Sequence, residues 1–471
     1  MNIHFFANLS NDNAAELSKG MEAREAVLLS TPGAARKTLD TVRIINEQNI
    51  LLAADNGNTS IIFKIVDEFT DRAKLLTDKL EQEKKTITSP PSKELSALFK
   101  LLVNDVAKRC KECVSLENQK IVLATQAQVK PVFFICLEEL TIPILVQLDI
   151  EPVCSGYRRP FFINLQKSGI QMAEAVITNK TGITSGLPYA TLHAFDYDSA
   201  YQVSKNAAQI PGLQAIATGM ASFMNDRNYI NSYVINGRRI WIKGKQLVPQ
   251  RYLRILQVSL GFLDGFSSER GNLPYFHGLG AGAPIVLPLL SLCTYGSPLL
   301  SVDSTSPEKN ASMGKLFVNI PAPLTLSLES VAQALVDGRT VWNCPCPYCT
   351  SLQQEIPYDL ESARDYFNAQ IAPRKINFDD LKLDNGIGQW LSICWGTNKQ
   401  PAKKSIYQAR VNHNHWVIAG IVKELRNRSN SYSELRDWVG AQCEAYKATA
   451  QPTYALQIDE CLKLIDRLRP N

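Results

Sequence analysis

The sequence predicts an α/β fold: a (β/α)₈ barrel, followed by a small cysteine-bearing subdomain and a helical C-terminal segment. Three observations carry this expectation. Short apolar runs of strand length alternate with longer amphipathic stretches from Ile50 to Val302, and repeated strand–helix units make a parallel sheet. The number of units favours a closed barrel over an open doubly wound sheet, and no G-x-G-x-x-G follows an early strand as a dinucleotide fold would need. After Asp303 the character changes to a Pro-rich segment, a cysteine cluster and a polar helical end. Residues 1–335 are therefore read as the barrel and 336–471 as the cysteine-bearing and helical region.

Each element has a local reason. Ile50–Ala54 is an apolar run that reads as a buried strand, and Ile61–Lys85 has the charge pattern of an amphipathic helix. Ser89-Pro90-Pro91-Ser92 breaks the chain, and a second helix runs to Cys113. Val132–Leu137 is a strong buried strand, and Phe161–Asn179 reads as a helix. Ala190–Phe195 and Leu213–Ala217 are strand-like. Ser232–Leu247 reads as a hairpin or helical insertion rich in Arg and Lys, and Arg251–Leu263 as a helix. Phe276–Gly280 and Pro298–Val302 close the strand series.

Composition bounds the class. Hydrophobic residues make up 45% of the 471 and charged residues 20%, ordinary for a globular chain. The net charge of +5 accommodates a polyanionic partner without demanding one. Met1–Phe6 has neither a basic n-region nor a long apolar h-region, so no secretion signal is expected. No run of about 18 apolar residues is present, so no membrane span is expected, and the location is read as cytoplasmic. The odd total of 11 cysteines argues against a disulfide framework. Cys110-x-x-Cys113 sits in a basic helical stretch and reads as an ordinary pair on one helix face.

The densest chemical signal is Cys344-Pro345-Cys346-Pro347-Tyr348-Cys349. Three cysteines at C-x-C-x-x-C spacing can wrap one metal ion, and a later histidine can complete a closed tetrahedral N/S shell, the geometry of structural zinc. Three buried thiols in a Pro-rich turn are the bland alternative. Two carboxylates follow strands, where barrel enzymes place their chemistry. They are Asp55, after Ile50–Ala54, and Asp303, after Leu299–Val302. A pair of acids facing one cleft can displace a group at a sugar anomeric carbon through a covalent intermediate. Asp-Asn-Gly and Asp-Ser-Thr-Ser are also good turn and N-cap sequences.

The order of these motifs resembles the tRNA-guanine transglycosylase superfamily, and within it the DNA-modifying DpdA branch. The likeness runs from Ile50 to Trp416: an acid after an early strand, Gly-Met-Ala after a middle one, an H-G-L-G-A-G turn, an acid after the last strand, then C-x-C-x-x-C and a His-Asn. The resemblance implies that Asp303 is the nucleophile and Asp55 the general acid/base. The usual D-S-G-G-F-Q is here Asp55-Asn56-Gly57-Asn58-Thr59-Ser60, which keeps the acid and alters the loop. Thr218-Gly219-Met220-Ala221 resembles the G-G-L-A turn whose backbone approaches the base. His193 stands where the family often has a base-reading glutamine. Glu138 lies near the base-recognising acid, with Glu139 as rival. Gly278, in Phe276-His277-Gly278-Leu279-Gly280, resembles the M-G-V-G turn, with a mainly backbone role. The metal set maps to Cys344, Cys346, Cys349 and His413, with His415 the competitor of His413; the longer gap to the histidine implies an insertion.

The resemblance implies a transglycosylase that exchanges guanine in DNA for a 7-deazaguanine base, 7-cyano-7-deazaguanine in particular, with a structural Zn²⁺ and a helicase- or ATPase-like partner. The alternatives are a tRNA-acting enzyme of the same mechanism and a noncatalytic zinc-stabilised nucleic-acid-binding protein. A hydrolytic glycosidase would release base without incorporating another. The cationic runs that could hold phosphates are Arg158-Arg159, Arg238-Arg239 with Lys243 and Lys245 around Trp241, and Lys403-Lys404 with Arg410; the second interleaves an aromatic with four cations.

Overall fold

A computed structural model describes residues 1–9, 24–30, 36–83, 91–178, 186–224, 226, 228–318, 324–327, 344–348 and 401–469. Eight parallel strands close into a barrel: β1 Asn2–Leu9, β2 Ala26–Ser30, β3 Leu51–Asp55, β4 Phe133–Ile135, β5 Leu187–Thr191, β6 Ala215–Gly219, β7 Tyr275–Leu279 and β8 Leu299–Ser304. Neighbours follow chain order, and β1 closes the ring by pairing with both β2 and β8.

The barrel class is as the sequence predicts, but two strands escaped that reading. The strand at Ile50 is the third, not the first, because Asn2–Leu9 and Ala26–Ser30 precede it. β1 has a mixed face pattern, since its outer residues Ile3 and Ala7 meet the helices while His4 and Asn8 lie on the lumen side. β2 is only five residues, AVLLS, below the length at which an apolar run separates from a buried helix turn. The Arg/Lys-rich insertion resolves as a hairpin, Ser232–Ile235 against Arg238–Trp241.

Period-two alternation divides each strand between two cores. Phe6, Leu28, Ala53, Phe133, Tyr189 and Ala217 fill the barrel lumen. Ile3, Val27, Leu52, Phe134, Ile216 and Val302 face the surrounding helices. Among these helices are Asn58–Gln82, Lys93–Cys113, Glu151–Ile177, Tyr197–Ala208 and Arg251–Arg270. Ser92 caps the second by accepting from Leu95 N at 3.3 Å, which explains why the Ser-Pro-Pro-Ser break ends there.

Beyond the barrel, Pro401–Arg428 packs along β1, and Arg426 Nε donates to the Ile3 carbonyl at 2.6 Å. Tyr432–Thr449 and Pro452–Leu468 follow, and their buried Val439, Cys443, Cys461 and Ile465 belong to the same core as Leu253 and Leu256 of the helix Arg251–Arg270. The C-terminal helices thus complete the outer layer of the barrel. No described helix is long and apolar enough to cross a membrane.

Candidate active site and metal centre

Strand parity aims the two predicted acids into one opening. Ala53 is in the lumen, so Asp55, two residues on, faces the lumen at the carboxyl end of β3. Asp303 stands near the corresponding end of β8 and is buried. The two sense each other directly. Burial, then the charge of Asp303, then that of Glu138 push the Asp55 carboxyl up to about 7, although the backbone N–H groups of Asn56 and Gly57 favour its ionised form. Gly57, at φ +72° in the left-handed region, points its N–H at Asp55 Oδ2 over 3.3 Å.

Asp303 is held from three sides. Gly280 N donates to Oδ1 at 3.1 Å, His277 Nε2 lies 3.2 Å from the same oxygen, and Asn8 Nδ2 is 3.4 Å from Oδ2. His277 and Asn8 were not singled out by sequence. The usable signal was parity: β7 alternates Tyr275, His277 and Leu279 toward the lumen, and a histidine there must meet whatever β8 places beside it.

Glu138 and Glu139 separate cleanly. Glu138 Oε1 accepts from Asn58 Nδ2 at 2.9 Å and Asn56 Nδ2 at 3.4 Å, while Oε2 lies 2.9 Å from His193 Nε2. Glu139 turns outward to the helix Thr141–Gln147, accepting from Thr141 N at 3.0 Å and from the Thr141 hydroxyl, and from Gln166 Nε2 at 3.2 Å. The altered loop after Asp55 therefore supplies two asparagines to Glu138. Asn58 Oδ1 remains buried without a hydrogen-bond partner.

The glycine turns are steric clearances. A Cβ on Gly219 would come within 3.0 Å of His193 Cε1, and one on Gly278 within 3.0 Å of Met220 Sδ. Met220 is buried and its N–H donates to Leu279 O at 2.7 Å, tying the end of β6 to the end of β7. Ala221 is exposed at the start of the short helix Ala221–Met224. Gly280, at φ +77°, sits where a Cβ would meet the Ala221 Cβ at 2.7 Å, so these two turns interlock.

The second constellation lies against Pro401–Arg428. One ligand atom each from Cys344, Cys346 and His413 lies within 4.8 Å of the others, and the group could hold a metal ion. Cys344 Sγ is 3.4 Å from His413 Nδ1. His413 Nε2 donates to Phe317 O at 2.9 Å, which leaves Nδ1 as the ligand atom. Burial lowers the proton affinity of this ring, yet Cys344 and Cys346 hold it up at about 10, so the pocket favours positive charge between the sulfurs. Asn414 braces the same strand, Lys315–Val318, accepting from Phe317 N at 2.7 Å. His415 is engaged elsewhere, 2.8 Å from Glu308 Oε1. Cys349 lies outside the described residues. His413→Ala is therefore expected to abolish metal binding and lower the melting temperature by several degrees, whereas His415→Ala keeps the metal; elemental analysis of the purified variants checks both.

Of the cationic runs, the hairpin stands out. Trp241 is 47% exposed, with Arg239 5.6 Å and Lys245 4.9 Å from its ring centroid. The turn is pinned by Asp198, which accepts from Asn236 N at 2.6 Å and Gly237 N at 3.0 Å. Because it connects β6 to its helix, the hairpin emerges at the carboxyl end of the barrel, as the acids do. Arg410 is corrected: it is buried, with Nη1 3.4 Å from Ala311 O, so it is no phosphate clamp. The side chains of Arg158, Arg159, Lys403 and Lys404 lie outside the described residues. Cys110 is buried and its thiol pushed far up, first by that burial, which suits a packing residue rather than a reactive thiolate.

No family model and no curated protein matches this chain.

Proposed function

We propose that this protein is a transglycosylase that exchanges guanine in DNA for a 7-deazaguanine base, 7-cyano-7-deazaguanine in particular, through a covalent Asp303–deoxyribose intermediate. One observation carries the reading: two carboxylates at one barrel mouth, one lifted to about 7 by burial and then by the charge of the other. Two such acids divide the labour of base exchange. Asp303 attacks C1′ as the C1′–N bond breaks, and its ester stores the sugar while guanine leaves. Asp55, near neutrality in proton affinity, gives a proton to the departing base and takes one from the incoming base. Two displacements retain the anomeric configuration without ATP. Glu138, with its two asparagines and His193, is placed to read the base edge; Gly219, Met220, Ala221 and Gly278 shape the approach.

The metal is proposed to be zinc. On one tetrahedral zinc with bonds of ~2.3 Å to sulfur and ~2.0 Å to nitrogen, S and N ligands stand about 3.5 Å apart, and Cys344 Sγ to His413 Nδ1 is 3.4 Å. Cys344, Cys346 and His413, with Cys349 as the fourth, would leave no open position, so the ion's role is structural.

The target nucleotide must leave its stack to reach the acids, so a single-stranded or locally opened segment is the reacting form. A helicase- or ATPase-like partner would supply it from duplex. The Trp241 hairpin would hold the strand: Trp241→Ala is expected to weaken binding of single-stranded oligonucleotides by roughly 10-fold, the scale of one stacked base, read by fluorescence anisotropy at fixed salt.

The deciding test is nucleoside mass spectrometry of DNA and tRNA from cells carrying the gene with its genomic neighbours. A 7-deazaguanine deoxynucleoside, present with the wild type and absent with Asp303→Asn, supports the proposal. Modification confined to tRNA keeps the chemistry and changes the substrate. Modification of neither, with precursor supplied, favours a noncatalytic zinc-stabilised nucleic-acid-binding protein.

A further inference from the structure

His277 has no solvent exposure and is boxed by aromatic rings, with centroids of Phe6 at 6.2 Å, Phe133 at 5.2 Å and Tyr189 at 6.2 Å. An imidazole this deep in a barrel lumen needs partners for both nitrogens. Nδ1 lies 2.8 Å from Ser301 Oγ, and Nε2 lies 3.2 Å from Asp303 Oδ1. A carboxylate has no hydrogen to give, so Nε2 carries it and donates; the Ser301 hydroxyl, able to donate or accept, matches Nδ1 in either state. The Gly280 N–H converges on the same Oδ1 at 3.1 Å, whereas Oδ2 has the longer Asn8 contact at 3.4 Å.

Resting on the transglycosylase reading, we infer that His277 is the positioning residue of the nucleophile: with Gly280 it fixes Oδ1, leaves Oδ2 as the attacking oxygen, and speeds release of the sugar in the second displacement. The two half-reactions use the ring differently. In the first, Oδ2 bonds to C1′ as the C1′–N bond breaks and its electron pair leaves on guanine, which takes the proton of Asp55. Oδ1 is then an ester carbonyl oxygen. In the second, the incoming base nitrogen gives its proton to Asp55 and its pair to C1′, while the C1′–Oδ2 bond breaks and that pair returns to the carboxylate. Negative charge then grows on Oδ1, where two fixed donors already point. Hydrogen bonds that stabilise the carboxylate make it a better leaving group and a less basic nucleophile. Losing the ring must therefore slow release far more than attack.

The test separates these steps. The enzyme is mixed with a guanine-containing single-stranded oligodeoxynucleotide, quenched in SDS, and scored for protein–DNA adduct; a chase with 7-cyano-7-deazaguanine then times adduct decay. His277→Leu is expected to form adduct but release it roughly 10²-fold more slowly, the scale for one lost donor to a developing anion. His277→Gln, which can keep an N–H toward Oδ1, is expected to restore most of the rate. If His277→Leu fails to fold, Ser301→Ala, which removes the partner of Nδ1, carries the same comparison with a smaller delay. Equal chase rates in wild type and variants overturn the inference, as does a His277→Leu enzyme that exchanges bases without accumulating adduct. A wild type that forms no Asp303-dependent adduct overturns the transglycosylase reading itself, which is a different result.

Discussion

Asp303→Asn is expected to eliminate base exchange, by about 10³-fold or more, as removal of a covalent nucleophile does, while leaving the fold intact. The amide keeps the size of the carboxylate, and its Oδ1 can still accept from Gly280 and His277. What is lost, on the proposed mechanism, is the charge and lone pair that would attack C1′. The same substitution has a second, independent readout. The charge of Asp303 is the largest influence on Asp55 after burial, and both raise its proton affinity. Neutralising Asp303 must therefore lower the pH at which Asp55 titrates, from about 7 toward the ordinary carboxylate range. A carboxyl ¹³C NMR titration of Asp55 in wild type and Asp303→Asn reads this directly. An unmoved titration would mean that the two acids do not share one mouth, and the mechanism would lose its premise. Stability should change little, since relief of the repulsion with Asp55 is offset by the weaker hydrogen bonds that an amide oxygen accepts from Gly280 and His277.

How much of this was legible beforehand follows from the range of each interaction. Asp55 and Asp303 could be found because each ends an apolar run, and strand parity alone aims them. Cys344 and Cys346 were legible as a candidate metal pair because they are neighbours in sequence. His413 against His415 was harder: two residues along a helix differ by about 200°, yet both are buried, because Pro401–Arg428 is covered by β1, by the helix Ser306–Ser312 and by the strand Lys315–Val318. Only the partners, Phe317 O for one and Glu308 for the other, tell them apart. β1 and β2 went unread because their lumen positions hold His4 and Asn8, or because the run is too short. His277 went unread because its role depends on the β7–β8 register, His277 opposite Ser301, which no local pattern contains. The Asn56 and Asn58 departures looked like loss of a motif; in three dimensions both meet Glu138.

On the proposed mechanism Asp55→Asn is expected to abolish base exchange and, at neutral to alkaline pH, to stabilise the fold. In the folded chain this carboxyl titrates near 7, against an ordinary value of 3.8. Between those two pH values the folded state holds a proton that the unfolded state has released, so stability declines as pH rises through the window and levels off above 7. Each tenfold in proton affinity is about 1.4 kcal/mol, so the ionised side chain costs the fold up to about 4 kcal/mol; water at the barrel mouth relaxes this, and about 1–3 kcal/mol is the expected gain on neutralisation. The substituted amide does not titrate, so the advantage of the variant should be near zero at about pH 4, grow to about pH 7 and stay constant to about pH 8.5. Denaturant melts across that range measure it. A constant difference at every pH would assign the effect to packing rather than charge. The activity should fall by roughly 10²–10⁴-fold, the span of a lost general acid/base. A residue that weakens the fold only when ionised, at the pH where the proposed exchange would have it both give and take a proton, would be one whose placement serves chemistry at the expense of stability.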